Sequence, residues 1–367
     1  MASRLIERLD AAIVSADDPV QRECLKAERA GALARHGLLA DARFALAGLR
    51  TQSQRRRSAR LSAWVWLVDG QIDHFEALAP KAKDKFRRSR ELAMEAGDTA
   101  MQALASAWLA SCSWNESSMT QMAGQLLETL QLAAPDHHSA RARAGLVLAD
   151  AYRFAGDDEA SQVWYLKART HASADGDGSM ISALLHNISA MRSARIGLDD
   201  AFGHTDLDVA AKALLEAEST ANYDWGAGAV ALTAMVPIQL RAQLLVVLGR
   251  FDEAVALFDA YLGRARSEGM AYREPRFLAD RAWCHVCSQR LAEGLRDARQ
   301  AERGLASQFD ADDWAATHAR LARVFGACQL PDEAAVHQAR AEESLALHKV
   351  HQQSMRETLA TTLREVI

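Results

Sequence analysis

The chain has 367 residues, 49% of them hydrophobic, with 6 Pro, 5 Cys and a formal net charge of −5. That balance excludes a disordered or collagen-like chain, and the negative sum argues against nucleic acid or an anionic membrane as partner. The five thiols, Cys24, Cys112, Cys284, Cys287 and Cys328, are odd in number and scattered, so they speak against a secreted disulfide frame and for a cytoplasmic location.

The opening stretch Met1 to Asp10 carries acids where a signal peptide needs an apolar core. The longest uncharged runs, Thr99 to Asn115 and Trp225 to Leu240, fall short of the roughly 20 apolar residues of a membrane span. The first expected helix, Ser3 to Ala16, stops at Asp17-Asp18-Pro19. Hairpins then follow. Val20 to Arg35 turns at Gly37 into a helix carrying Ala42, Leu46 and Leu49. Ala59 to Asp69 is expected to turn at Gly70, which places Phe75 where a small residue is wanted, and to lead through Pro80 into a basic helix ending at Gly97-Asp98. Thr99 to Trp114 pairs with Met119 to Leu132, and Ala140 to Ala155 turns at Gly156. Ser179 to Ile196 is expected to turn at Gly197 into a helix interrupted by Gly203 to Asp206. Trp225 to Leu262 forms the next unit, with a kink or start at Pro237. Pro275 to Ser288 pairs with Leu291 to Ala306, and Trp314 to Ala327 turns at Leu330-Pro331 into a terminal helix.

The most regular unit is Leu248 to Leu262, where Gly249 is followed by Phe251, Ala254, Phe258 and Tyr261. A turn glycine, a small residue for close approach and aromatics on one helical face resemble the tetratricopeptide repeat, although the units here run longer than its period of roughly 34 residues. Longer repeats of this kind, and the segment Leu184 to Arg192, also resemble the repeat regions of bacterial regulators, namely MalT-type activators and the sensor halves of diguanylate cyclases. The resemblance implies an all-α right-handed α-solenoid of about seven or eight hairpins over residues 1–343, with residues 344–367 as a capping or linker helix. It implies a non-catalytic module of bacterial signalling that binds a protein segment, peptide or small ligand on its inner face, any catalytic output lying in another domain or partner.

In that geometry the first helix of each hairpin lines the inner face, which assigns ligand contact to Arg143, Asp150, Arg153, Asn187, Met191, Arg195, Gln239, Gln243 and Trp283. The Lys and Asn clamp of chaperone-tail adaptors is not reproduced, only Asn187 and Arg195 approaching it. No cofactor or metal is expected. The alternative is a metal or redox protein using Cys284 and Cys287, which lie three apart on one helix side, and a second alternative is a pure scaffold. Asp136-His137-His138, His337, His348 and His351 lack a matching third ligand. Asp175-Gly176-Asp177-Gly178-Ser179 opens like a calcium loop but has His186 where the closing Glu belongs, so a flexible turn is expected. Arg55-Arg56-Arg57 and the run Lys81 to Arg90 are candidate docking charges, set against the commoner solvated helix face. From Asp332 the chain continues to Ile367 without Gly or Pro, and Leu345, His348, Gln352, Met355, Leu359, Thr362 and Val366 follow a weak coiled-coil spacing, giving a monomer with a cap or a weak homodimer.

Overall fold

A computed structural model describes residues 3–227, 234–305 and 310–364. Helices account for nearly all of them, and no strand occurs among the described residues. Contacts divide the chain into two compact units: Met1–Leu185, Tyr223–Leu232 and Ser354–Ile367 form the first, and His186–Asn222 with Thr233–Gln353 the second.

In the first unit α1 (Arg4–Ser15) packs Leu5 and Leu9 against Ala32. Asp18 caps α2 (Pro19–Arg35), accepting from the amides of Val20 and Gln21, and Pro19 occupies the first turn, where its missing N–H costs nothing. α3 (Leu39–Arg56) returns alongside. The next pair corrects the sequence reading. α4 (Ala59–Ala77) runs straight through Gly70 and turns only at Leu78 to Pro80 before α5 (Lys81–Glu95). Gly70 is a contact point: a Cβ there would stand 2.6 Å from the Phe86 ring. Phe75 therefore belongs to the last turns of α4, not to the small-residue position of a second helix. α6 (Thr99–Asn115) with α7 (Met119–Leu132) and α8 (His138–Phe154) with α9 (Asp158–Asp175) complete four hairpins, Asp98 and Asp157 capping α6 and α9 through the amides of Met101 and Ala160.

α10 (Gly178–Ala201) likewise runs through Gly197, so the turn expected there is at Gly203, ahead of α11 (Leu207–Ala227). A Cβ on Gly197 would meet the Arg276 guanidinium at 3.0 Å. Both errors have one cause: a helical glycine kept for close approach has the same letter as a turn glycine. In the second unit Pro237 lies inside a π-wound segment, Met235–Ala242, that leads into α12 (Gln243–Val247). α11 runs on to Ala227, past the start expected for that unit at Trp225, and residues 228–233 lie outside the described residues, as do Ala306 and Val366. Gly249, at φ 70°, makes the left-handed turn into α13 (Phe251–Ala265), where Ala254, Phe258 and Leu262 are buried along one face. α14 (Glu274–Cys287) with α15 (Leu291–Gly304) and α16 (Ala311–Ala327) with α17 (Pro331–Thr362) follow. The all-helical, consecutive-hairpin architecture is that of a helical-repeat protein.

Candidate functional site

Within the first unit α2, α4, α6 and α8 lie side by side as one layer, with α3, α5, α7 and α9 paired behind them. The front of that layer holds two adjoining hollows of about 380 and 450 Å³ of empty space, open solvent at their mouths included. Glu28, Trp64 and Leu104 line both, so the hollows form one groove.

The groove is built from charges set among small residues. On α2, Ala27, Ala30 and Gly31 are buried, and the intervening Glu28 reaches the groove. Its carboxylate accepts no hydrogen bond among the described residues, and burial first, the nearby Asp175 carboxylate second, push it up to about 7. About two turns further on, Arg35 donates to Asp177 at 3.0 Å while its Nε is buried without a partner among the described residues. Gln71 of α4 is buried too, its Oε1 unpartnered.

Trp108 of α6 is wedged by aromatic rings. Phe86 stacks on it at 5.2 Å between centroids, and Phe75 and His74 meet it edge-on at 5.8 and 5.5 Å. Above the indole lies Arg143 of α8, its guanidinium carbon 3.9 Å from the ring centre. Arg143 is 7% exposed and makes no hydrogen bond or ion pair among the described residues. Burial, then the Arg35 charge, lowers it to about 10; burial, then Arg143, drives His74 down to about 3, so that imidazole is neutral.

The interhelical turn expected at Asp175 to Ser179 falls at Gly176 and Asp177, between α9 and α10, and Asp175 and Asp177 line the groove. Asp177 caps α10, accepting from the Met180 amide at 3.1 Å and the Ser179 hydroxyl at 2.6 Å. Burial works to raise its carboxyl, but Arg35 and these hydrogen bonds outweigh burial and lower it. Asp175 pairs with Arg8 at 2.5 Å, and the Leu5 amide donates to the Gly176 carbonyl at 3.2 Å.

Of the residues assigned from sequence, Arg143 alone lines these hollows. Asp150, 2% exposed, accepts from the Tyr165 hydroxyl, and Arg153 pairs with Asp158 at 3.4 Å. The other six lie in the second unit. Asn187 and Met191 are half-buried on α10 and Arg195 is exposed. Gln239 and Gln243 are buried, Gln243 donating to Asp280 at 3.2 Å. Trp283 is covered by Arg323 at 4.1 Å. Asp280 also receives Arg320, which reaches Asp200 at 2.7 Å, so the polar centre of that unit is largely self-compensated.

Cys284 is fully buried and Cys287 half-buried, and burial raises both thiols, away from the thiolate that metal binding or redox exchange requires. No group of three or more metal-ligating side chains occurs among the described residues. The basic run on α5 is spoken for: Lys81 and Lys85 pair with Asp73, Lys83 with Glu116, Arg87 with Asp84, Arg88 with Glu91 and Arg90 with Glu128. No helix among the described residues is long and apolar enough to cross a membrane.

The chain matches no family model and no curated protein. Among solved structures it is similar to the crystal structure of a Rap protein complexed with competence and sporulation factor, with a TM-score of 0.52 over 94% of this chain and 92% of that one, at 13% identity. At that identity the likeness shows the fold.

Proposed function

We propose that this chain is a non-catalytic binding module that holds a peptide or protein segment in the groove of its first unit. The observation that carries this reading is the set of buried or half-buried polar groups that have no hydrogen-bond or ion-pair partner among the described residues along one groove: the Glu28 carboxylate, Arg35 Nε, Gln71 Oε1 and the Arg143 guanidinium. A buried polar group costs roughly 1 to 3 kcal/mol when unsatisfied, and a ligand that satisfies it recovers that cost as affinity. A peptide main chain, with alternating donors and acceptors, is the chemistry that serves all four. The structurally similar Rap protein was crystallised with a bound factor, which supports the same use of the fold here. The wider role is sensory input to bacterial signalling in the cytoplasm, with Asn187, Met191, Arg195, Gln239, Gln243 and Trp283 as a second contact surface.

Site-specific photocrosslinking tests the groove. A photoreactive residue at Leu104, which lines both hollows, should label bound members of a randomised hexapeptide library, while one at Phe44, 87% exposed on α3, should not. Labelling only at Phe44 would move the binding surface to the back layer.

A further inference from the structure

Resting on that reading, we infer that the Arg143 guanidinium, laid over Trp108, is the anchor for a carboxylate of the ligand, so that the preferred segment is one ending in a free C-terminus. Arg143 is 7% exposed, it lines the hollow that also holds Trp108, and among the described residues it has neither a hydrogen bond nor an ion pair. Of the acids that share the hollow, Asp177 receives Arg35 and Asp175 receives Arg8, while Glu28, pushed up to about 7, makes no ion pair with Arg143 among the described residues. The indole covers the guanidinium from one side at 3.9 Å, which leaves its N–H groups to a planar, bidentate acceptor. A carboxylate has that shape and charge, and in a half-enclosed hollow it would discharge a cation that the fold leaves uncompensated. Arg35 Nε, buried and unpartnered on the opposite helix, supplies a further donor to the same hollow. Burial, then the Arg35 charge, lowers Arg143 only to about 10, well above 7, so the anchor is still cationic at neutral pH when the ligand arrives. One guanidinium over an indole differs from a paired Lys and Asn clamp, and it asks for a single terminal carboxylate.

The full chain, immobilised, is offered a randomised hexapeptide library with free C-termini and the same library amidated, and retained peptides are counted by mass spectrometry. Wild type should retain the free-carboxylate library at least tenfold better, and Arg143→Met should lose that preference with a thermal midpoint no lower than wild type. Arg143→Lys, which keeps the charge without the planar fork, should retain an intermediate preference and serves if the Met variant folds poorly. Equal retention of both libraries by wild type overturns the anchor and leaves the groove reading standing. Preference preserved in Arg143→Met, or, where that variant melts ten degrees or more below wild type, preference undiminished in Arg143→Lys, also overturns the anchor. If wild type retains neither library, the peptide reading falls. Free acetate and succinate then decide the anchor: a midpoint raised by succinate in wild type and not in Arg143→Met keeps it, and no shift overturns it.

Discussion

Glu28 and Arg143 bring opposite charges to one groove, and neither makes a direct ion pair. For Glu28 this has a pH signature. Its folded value of about 7 stands above the ordinary 4.5, so between those pH values the folded chain keeps a proton that the unfolded chain has lost, and stability falls as pH rises through that window. Asp175 and Asp177 oppose its ionisation while Arg35 and Arg8 favour it. Glu28→Gln should match wild type in thermal midpoint near pH 4 and exceed it at pH 8; parallel curves would mean that Glu28 titrates as an ordinary exposed acid. In the second unit Arg320, with its side chain 1% exposed, binds Asp280 and Asp200. Arg320→Met takes the shared cation from two buried carboxylates, leaving Asp280 to Gln243 and Arg276 and Asp200 to Thr205, and should cost about 3 kcal/mol in urea unfolding, an unchanged midpoint being the contrary result. Arg143 was legible as a first-helix position. Trp108 was not, because it sits in the uncharged run Thr99–Asn115, where nothing distinguishes a groove indole from a core one. Glu28 had one faint signal, a lone acid among Ala27, Ala30 and Gly31 on a face otherwise built for close packing.

Helix ends were legible wherever a cap or proline marked them, as at Asp18-Pro19, Asp98 and Gly249, because those residues act through local backbone chemistry. The turns placed at Gly70 and Gly197 failed because what fixes those glycines is tertiary: the Phe86 ring in one case and the Arg276 guanidinium in the other. The contrast with Gly48, exposed on α3 with nothing within 4 Å of a Cβ, makes a test at the level of the helix. Gly48→Ala should stabilise by about 0.5 to 1 kcal/mol through helix propensity. Gly70→Ala should destabilise, since the gain is outweighed by displacing an aromatic ring that itself stacks on Trp108. Chemical denaturation of the two single variants reads both signs, and a stabilised Gly70→Ala would contradict the tight α4–α5 contact. Ala254, fully buried on α13, belongs with Gly70: Ala254→Leu should lose roughly 1 to 3 kcal/mol by overpacking, and an unchanged midpoint would place it on the surface. The basic helix α5 shows the converse limit, its charge run legible in sequence and its acidic partners, spread over α4, α5 and α7 and the cap of α6, not.

At the scale of the chain, hairpin repetition was legible because each unit repeats the same short-range devices, whereas the division into two units was not, since it depends on contacts far apart in sequence. The terminal helix is where the two kinds of information meet. α17 continues to Thr362, and residues 354–364 belong with the first unit. There Met355, Leu359 and Leu363 are 1 to 2% exposed, and Arg356 donates from Nε to the Ala155 carbonyl at 2.5 Å. The spacing that suggested a coiled-coil seam is therefore also the spacing of residues buried against their own chain, and a side chain covered in this way is unavailable to a second copy. We propose that the segment 344–367 acts as a cap. Burial of each such apolar side chain stabilises by about 1.5 to 3 kcal/mol, so a version ending at Ser344 should remain monomeric in light scattering and melt several degrees below the full chain. Arg356→Ala, which removes the tie to Ala155 and leaves the apolar contacts in place, should lower the midpoint in the same direction by less. A full chain that scatters as a dimer, becoming a monomer on truncation with its melting unchanged, would instead make this helix the pairing element through which a bound segment in the groove is reported onward.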